Sequence, residues 1–296
     1  MKKYIYSIAL AVVAVCFGSC SSEDAPVLDY ADPTNYFMPS DDATDTISVV
    51  RRKFKEEEGS YLLFTDTLQH YYIGTDVNGD DRYFTELLEV RYSVGSDVTQ
   101  TYDDTYTYLT TDEKKLEAVD YLKTYILPHF SANLRPFSWF LAGIIKSTNN
   151  SGVATKPYVI TGERAIVLAC NNLKKLTTEA SKKDYARSQL LTIVGDLASN
   201  NATAFEEFVS VCSNYYQKDL NTPSGTKDSD WVKSKGFANT TSSITFPSQE
   251  QDFNAFSTLV LTYTDEQIEK NYAKFPLVVS RAKMFRSVLT SLGYVF

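Results

Sequence analysis

The sequence predicts an α+β fold in which a small sheet comes first and a mainly helical half follows. Short apolar runs rich in branched and aromatic residues, such as "YLLFTD", "FSWFLAGII" and "RAIVLAC", lie between residues 46 and 170. From residue 181 onward, apolar residues recur at helical spacing and cap residues separate successive stretches. We therefore expect a single body, residues 46–296, whose second half is helical.

The first nineteen residues predict an export signal. Residues 1–19 begin with a basic pair and continue with the apolar run Tyr4–Phe17, which is shorter than the roughly 20 residues of a membrane span. The small pair Gly18–Ser19 stands directly before Cys20, as in bacterial lipoprotein signals. We expect cleavage before Cys20 and attachment of lipid to it, with ordinary cleavage near the same place as the alternative.

Residues 20–45 are predicted to be a flexible tether. The segment is acidic, contains three prolines and lacks periodicity. Glu23 and Asp24 resemble the signal that directs some lipoproteins to the outer face of the outer membrane. The expected location is therefore the outer membrane, bound through lipid on Cys20 and exposed at the cell surface, with the periplasmic face as the alternative.

The charge of the chain excludes nucleic acid as an expected partner. The formal net charge is −8, and removal of residues 1–19, which hold two lysines and no acidic residue, lowers it to −10. Phosphate backbones are bound by lysine and arginine excess, which is lacking here. No later segment of the sequence is apolar for long enough to span a bilayer.

Few residues are suited to metal binding. The chain has 21 tyrosines and 17 phenylalanines but only two histidines, His70 and His129. Of the cysteines, Cys170 and Cys212 remain in the predicted body, where buried thiols are favoured over a disulfide. We read both histidines as surface or hydrogen-bonded residues rather than ligands.

The first half is predicted to contain strands and one helix. "TISVV" from residue 46, "YLLFTD" and "LLEVRYSV" at 87–94 have strand patterns. "DVNGDDRYFTEL" at 76–87 begins like a calcium loop but has Asp81 in place of the turn glycine and Leu87 in place of the last acid, so a polar turn between strands is preferred. A helix is expected from the capping pair Thr110 and Glu113 to Pro128.

The second half is predicted to be a series of capped helices. Expected starts are Ser181 with Asp184, Thr203 with Glu206, Ser248 with Gln251, and Thr264 with Gln267. A last helix is expected from Pro276 to Gly293, since proline suits the first turn and glycine the C-terminal cap.

The stretches "GERAIVLACNNLKKL", "LLTIVGDLASN" and "KGFANTTSSITFPSQEQDFNAFSTLV" follow one another in the second half of the chain. Together they resemble the substrate import-associated zinc metallohydrolase lipoproteins, a zincin-like family linked to SusC/SusD-type uptake systems. "GERAIVLACNNLKKL" resembles the edge strand before the family's active-site helix. "LLTIVGDLASN" falls where the family has H-E-x-x-H, and "KGFANTTSSITFPSQEQDFNAFSTLV" resembles its glycine-phenylalanine turn and E-D-F-A-E helix. The resemblance covers roughly residues 86–296 and implies a zincin-like domain.

The resemblance also implies that the metal site has degenerated. Gly195 and Ser199 stand where the two histidine ligands would be, Asp196 where the general base would be, and Asp252 in the acidic box of the later helix. Glycine offers no ligand and serine is a poor zinc donor. We therefore expect no cofactor and no zinc. Close helix packing is the alternative explanation for Gly195.

The expected function is a non-catalytic binding accessory of SusC/SusD-type nutrient uptake. A peptide or glycan would bind in a groove between the helix of Gly195 and the helix of Asp252. One alternative is a hydrolase with a rearranged site of Asp196, Asp252 and His129, which requires these side chains to converge. Another is a structural or adhesion lipoprotein without a cleft.

Overall fold

The central element is a four-stranded mixed sheet. Its strands lie in the order β1 (Tyr61–Leu63), β5 (Ser138–Ala142), β9 (Ile166–Ala169) and β8 (Val159–Thr161). The computed structural model describes residues 35–91, 102–220, 228–239 and 244–296. Strands β1, β5 and β9 are parallel, and β8 is antiparallel to β9. Every residue of β5 and β9 is buried, as expected for continuous apolar runs covered on both faces. The strands are β1 Tyr61–Leu63, β2 Thr67–Thr75, β3 Asp81–Leu87, β4 Tyr102–Thr107, β5 Ser138–Ala142, β6 Ile144–Asn149, β7 Ala154–Thr155, β8 Val159–Thr161 and β9 Ile166–Ala169.

Two smaller sheets complete the β structure of the described residues. Strands β4, β6 and β7 form an antiparallel sheet, and β2 pairs only with β3 among the described strands. At the tip of this β2–β3 hairpin, the Asp76 carboxylate accepts the backbone N–H groups of Asn78 and Asp80. The polar-turn prediction for "DVNGDD" is thereby confirmed.

Three strand expectations need correction. Residues 46–50 are helical, because Asp45 caps the helix and Ile47 and Phe54 bury one helical face. The run 87–94 is no strand beyond Leu87 in its described part, although Leu88 and Val90 are buried. The strand of "RAIVLAC", β9, lies between β5 and β8 rather than at the sheet edge.

The predicted helices occur in the predicted order with several shifted starts, and two helices, at Thr46–Glu58 and Ser229–Ser234, were not predicted. The helices are α1 Thr46–Glu58, α2 Asp112–Tyr121, α3 Glu179–Asn200, α4 Glu206–Ser210, α5 Ser229–Ser234, α6 Gln249–Thr262, α7 Asp265–Asn271 and α8 Pro276–Leu292. The boxes of Ser248 with Gln251 and of Thr264 with Gln267 are confirmed. Gly293 is confirmed as a left-handed cap, with φ of 106°.

Three predicted helix starts were wrong. The cap of α2 is Thr111 rather than Thr110, and the capping box of α3 is formed by Thr178 with Ser181 instead of Ser181 with Asp184. Before α4 the chain forms a 3-10 turn, Ala202–Phe205, without a side-chain cap bond. Several neighbouring polar residues at these starts have similar propensities to cap a helix, and their spacing alone does not show which of them is the cap.

An aromatic core joins the helices. The rings of Phe205, Phe208, Phe253, Phe256 and Phe285 pack together with centroid distances from 4.9 to 6.3 Å. Offset and edge contacts of this kind stabilise a core beyond the burial of their area.

The two cysteines of the body are buried free thiols, as the sequence predicted. Residues 36–45, which sequence reasoning assigns to the tether, already contact the body. Phe37 is buried, and its carbonyl accepts a hydrogen bond from Arg51. Cys20 and the signal segment lie outside the described residues. Within the described ranges, no helix combines the length and apolarity needed to cross a membrane.

Candidate functional site

Gly195 lies where α3 and α6 approach each other closely. It is buried, and a Cβ atom placed on it would stand 2.5 Å from Oδ1 of Asn254 on α6. The sequence placed a ligand groove between these two helices. At Gly195 the Asn254 amide fills the space beside α3, so the expected groove is not open at this residue. The contact is with the end of one exposed side chain, which does not by itself require a glycine.

The side chains that follow Gly195 do not form a donor set with it. The Asp196 carboxylate is half-buried and accepts a hydrogen bond from the Thr161 hydroxyl of β8 at 2.6 Å. Ser199, one turn later, is exposed. At these positions the helix therefore offers one carboxylate, which is already hydrogen-bonded to Thr161, and no imidazole.

Asp252 is part of a buried ion pair. Its Oδ2 atom lies 2.6 Å from Nη2 of Arg281 and accepts the Tyr216 hydroxyl at 2.8 Å. Asp252 is 1% exposed and Arg281 is fully buried. Burial raises the pKa of Asp252 above its ordinary value, and the charge of Arg281 opposes that rise. This carboxylate holds helix α8 against α6.

The rearranged site of Asp196, Asp252 and His129 is not assembled in the described part of the chain. Asp196 contacts Thr161, Asp252 contacts Arg281, and His129 contacts the C-terminal residues. No group of three His, Cys, Asp or Glu side chains that could hold a metal ion occurs among the described residues. The other histidine, His70, bonds to Thr85 on the hairpin and lies on Tyr83.

Two adjoining cavities lie elsewhere, between α3, α6 and the C-terminal tail. Their volumes are about 300 and 450 Å³, and both are lined by His129, Leu261 and Tyr294. Neither is lined by Gly195, Asp196, Ser199 or Asp252. We call the pair the central groove. Each volume lies within the range of about 300 to 1,000 Å³ found for small-molecule sites.

His129 has a fixed orientation in the central groove. Its Nδ1 atom lies 2.8 Å from the carbonyl oxygen of Val295, which can only accept, so Nδ1 carries the proton. The ring is stacked on Tyr294 at 5.6 Å between centroids and 11° between planes. In the neutral ring, Nε2 is therefore left as an acceptor.

Local sequence features build this arrangement. Pro128 lies in the 3-10 turn Leu127–His129, which ends the helical stretch that begins with α2. Gly293 turns the chain at the end of α8, and its carbonyl accepts the N–H of Ser131. The N–H of Val295 returns a bond to the carbonyl of His129. The C-terminal residues are thereby fixed beside His129.

The two ends of the central groove differ in charge. The first cavity is lined by Lys183 and Arg187 with one acid, Asp184. The second is lined by Asp265 and Glu266 with one base, Arg286. Arg187 is paired with Asp184 at 2.7 Å and Arg286 with Asp265 at 2.9 Å. The formal charge is therefore one unit positive at one end, carried by Lys183, and one unit negative at the other, carried by Glu266, and Leu261 lines both cavities.

Sequence reasoning missed this groove. It interpreted His129 as a surface or hydrogen-bonded residue, or as part of a rearranged site with Asp196 and Asp252. The residues that fix it, Tyr294 and Val295, lie more than 160 positions away. The available signals were the glycine cap and the aromatic end of "GYVF". Comparisons with protein-family models, curated proteins and solved structures found no match to the chain. The α+β class is observed.

Proposed function

We propose that the protein binds a short peptide in the central groove and releases it intact, as a lipid-anchored accessory of nutrient uptake at the outer membrane. The observation that carries the proposal is the opposite charge at the two ends of one groove. A free peptide has a carboxylate that suits Lys183 and an ammonium group that suits Glu266. His129 and Leu261 would contact the middle of the peptide.

The lipid anchor is proposed from sequence. Gly18–Ser19 before Cys20 supports acylation of the cysteine, and the acidic pair Glu23 and Asp24 supports exposure at the cell surface. Association with a SusC/SusD-type transporter follows from the resemblance to the zinc metallohydrolase lipoproteins. Such a tether would keep the groove near a transporter and raise its local concentration of peptide.

We further propose that the body is a zincin-like scaffold that has lost its metal site. The mixed sheet with the antiparallel edge strand β8, and α3 bonded to that edge through Asp196 and Thr161, support this assignment. Binding without cleavage is favoured because Gly195 and Ser199 offer no imidazole and Asp252 is paired with Arg281.

The test is a calorimetric titration of the mature chain with tetra-alanine that has free termini, and with the same peptide acetylated and amidated. We expect the free peptide to bind at least tenfold more tightly, because capping removes both terminal charges. Mass spectrometry after incubation, with and without added zinc, should recover the peptide intact. Equal affinity for the capped peptide, tighter binding of maltohexaose, or cleavage would overturn the proposal.

A matched pair of variants locates the site. Leu261→Asp places a charge in the middle of the groove and should weaken tetra-alanine binding at least tenfold. Leu277→Asp places the same charge on α8 at a residue that is 44% exposed and lines neither cavity, so it should leave binding unchanged. Equal effects of the two variants would contradict the assignment.

A further inference from the structure

The β2–β3 hairpin has two exposed faces. Its strands pair only with each other among the described strands, and most residues of both are exposed. An isolated two-stranded ribbon is marginally stable in water, so its side chains have to stabilise it. In most proteins such a ribbon rests one face on the body, which this one does not do along most of its length.

Aromatic side chains cover both faces of the hairpin. Tyr71 and Phe84 pair across the strands on one face, with ring centroids 5.2 Å apart. Tyr72 and Tyr83 pair on the other, with centroids 5.8 Å apart. These four rings are 42 to 53% exposed. Exposed apolar patches of this kind mark interaction sites, and tyrosine is enriched in the centres of protein interfaces.

The charge of the hairpin selects among partners. Residues 67–87 contain four acidic side chains and one basic, Arg82, so the formal charge is −3 with His70 neutral. Hydrogen bonds from the N–H groups of Asp80 and Asn78 lower the pKa of Asp76, which keeps the tip ionised. A second copy of this surface or an anionic bilayer would be repelled. Arginine and lysine would be attracted, and arginine also stacks on tyrosine rings.

We propose that the β2–β3 hairpin is a docking element for a partner protein whose surface carries arginine and lysine. The contact would be made through the ring-bearing faces. The register of β2 shifts between Thr67 and Gln69 and between Tyr72 and Gly74. Irregularities of this kind hinder the addition of a further strand at an edge.

The probe is a twelve-residue peptide of alternating glycine and arginine, titrated into the full mature chain at low salt. We expect Tyr72→Thr/Tyr83→Thr to raise its Kd at least fivefold, because threonine keeps strand propensity but removes the rings. The control Tyr158→Thr removes a ring of similar exposure, 48% against 53% for Tyr72, outside the hairpin and should change the Kd less than twofold. Equal effects of the two would overturn the proposal.

A second variant tests the charge of the hairpin without removing any of its aromatic rings. Asp80→Asn/Asp81→Asn keeps every ring and should also raise the Kd for the arginine peptide at least threefold at low salt, with less effect at high salt. The proposal is overturned if this variant binds normally. It is also overturned if the tyrosine variant instead abolishes binding of cellohexaose, binding of vesicles or self-association. Tetra-alanine binding should be unchanged in both hairpin variants, so the hairpin and the central groove can fail separately.

Discussion

Replacing Asp252 with alanine removes the carboxylate that faces the buried guanidinium of Arg281. Loss of one partner from a buried pair costs about 3 to 5 kcal/mol, because the remaining charge stays desolvated. Arg281 would retain bonds to the carbonyls of Gly236 and Phe208 and to the Tyr216 hydroxyl, at 2.9, 3.2 and 3.1 Å. Its guanidinium also lies 3.9 Å from the Phe208 ring centroid.

These remaining contacts place the expected loss near the lower end of that range, at about 3 kcal/mol of unfolding free energy. Urea titration followed by far-UV circular dichroism measures this loss. The slope of the unfolding free energy against urea concentration should be the same in the variant and the original chain, which shows that the denatured state is unchanged. The double variant Asp252→Leu/Arg281→Met should recover most of the loss, since replacing a whole buried pair by apolar groups is often neutral.

A loss of less than about 1 kcal/mol of unfolding free energy in Asp252→Ala, together with loss of tetra-alanine binding, would contradict this prediction. That result would move Asp252 from a packing role to a ligand role. Asp196→Ala is the matched comparison, because this carboxylate is half-buried and accepts from Thr161. Its expected loss is about 1 to 2 kcal/mol.

Three further outcomes follow from the packing. Gly195→Ala should leave stability unchanged or raise it by up to about 1 kcal/mol, since alanine favours the helix and the exposed Asn254 amide can move aside. A clearly lower midpoint of thermal unfolding would contradict this. Gly162→Ala should cost about 3 kcal/mol, because its Cβ would lie 1.8 Å from the Val90 carbonyl oxygen, and an unchanged midpoint would contradict this. Burial raises the pKa of Cys212 to about 12, so its thiol should resist Ellman's reagent at pH 8 until urea unfolds the chain.

Local signals predicted the helical half well. Ser248 with Gln251 satisfies N–H groups within one turn, and Gly293 relieves a left-handed strain, so both act without help from distant residues. The segment from residue 46 was misjudged because its branched residues favour a strand. The Asp45 cap and the charged helix-forming residues that follow stabilise a helix instead. Ile47 and Phe54 lie on the same buried face of that helix.

Features that depend on distant contacts could not be predicted from sequence. The aromatic rings of the hairpin would be expected in a core, and their exposure depends on which strands pair. His129 acquires its position from Tyr294 and Val295, and Asp252 its role from Arg281. Of the site positions named by resemblance, Gly195, Asp196 and Asp252 lie in contacts between structural elements and Ser199 is exposed, while the central groove had no linear motif.

The position of bound peptide tests the account most directly. A tetrapeptide carrying one benzoylphenylalanine and free termini would be photo-crosslinked to the mature chain, and the modified residues mapped by mass spectrometry. We expect attachment at residues that line the central groove, which fall at 124–129, 183–190, 260–266, 286 and 294–296. Attachment beside Gly195, Asp196 or Thr161 would contradict the account and return the ligand to the face of the resembled metal site.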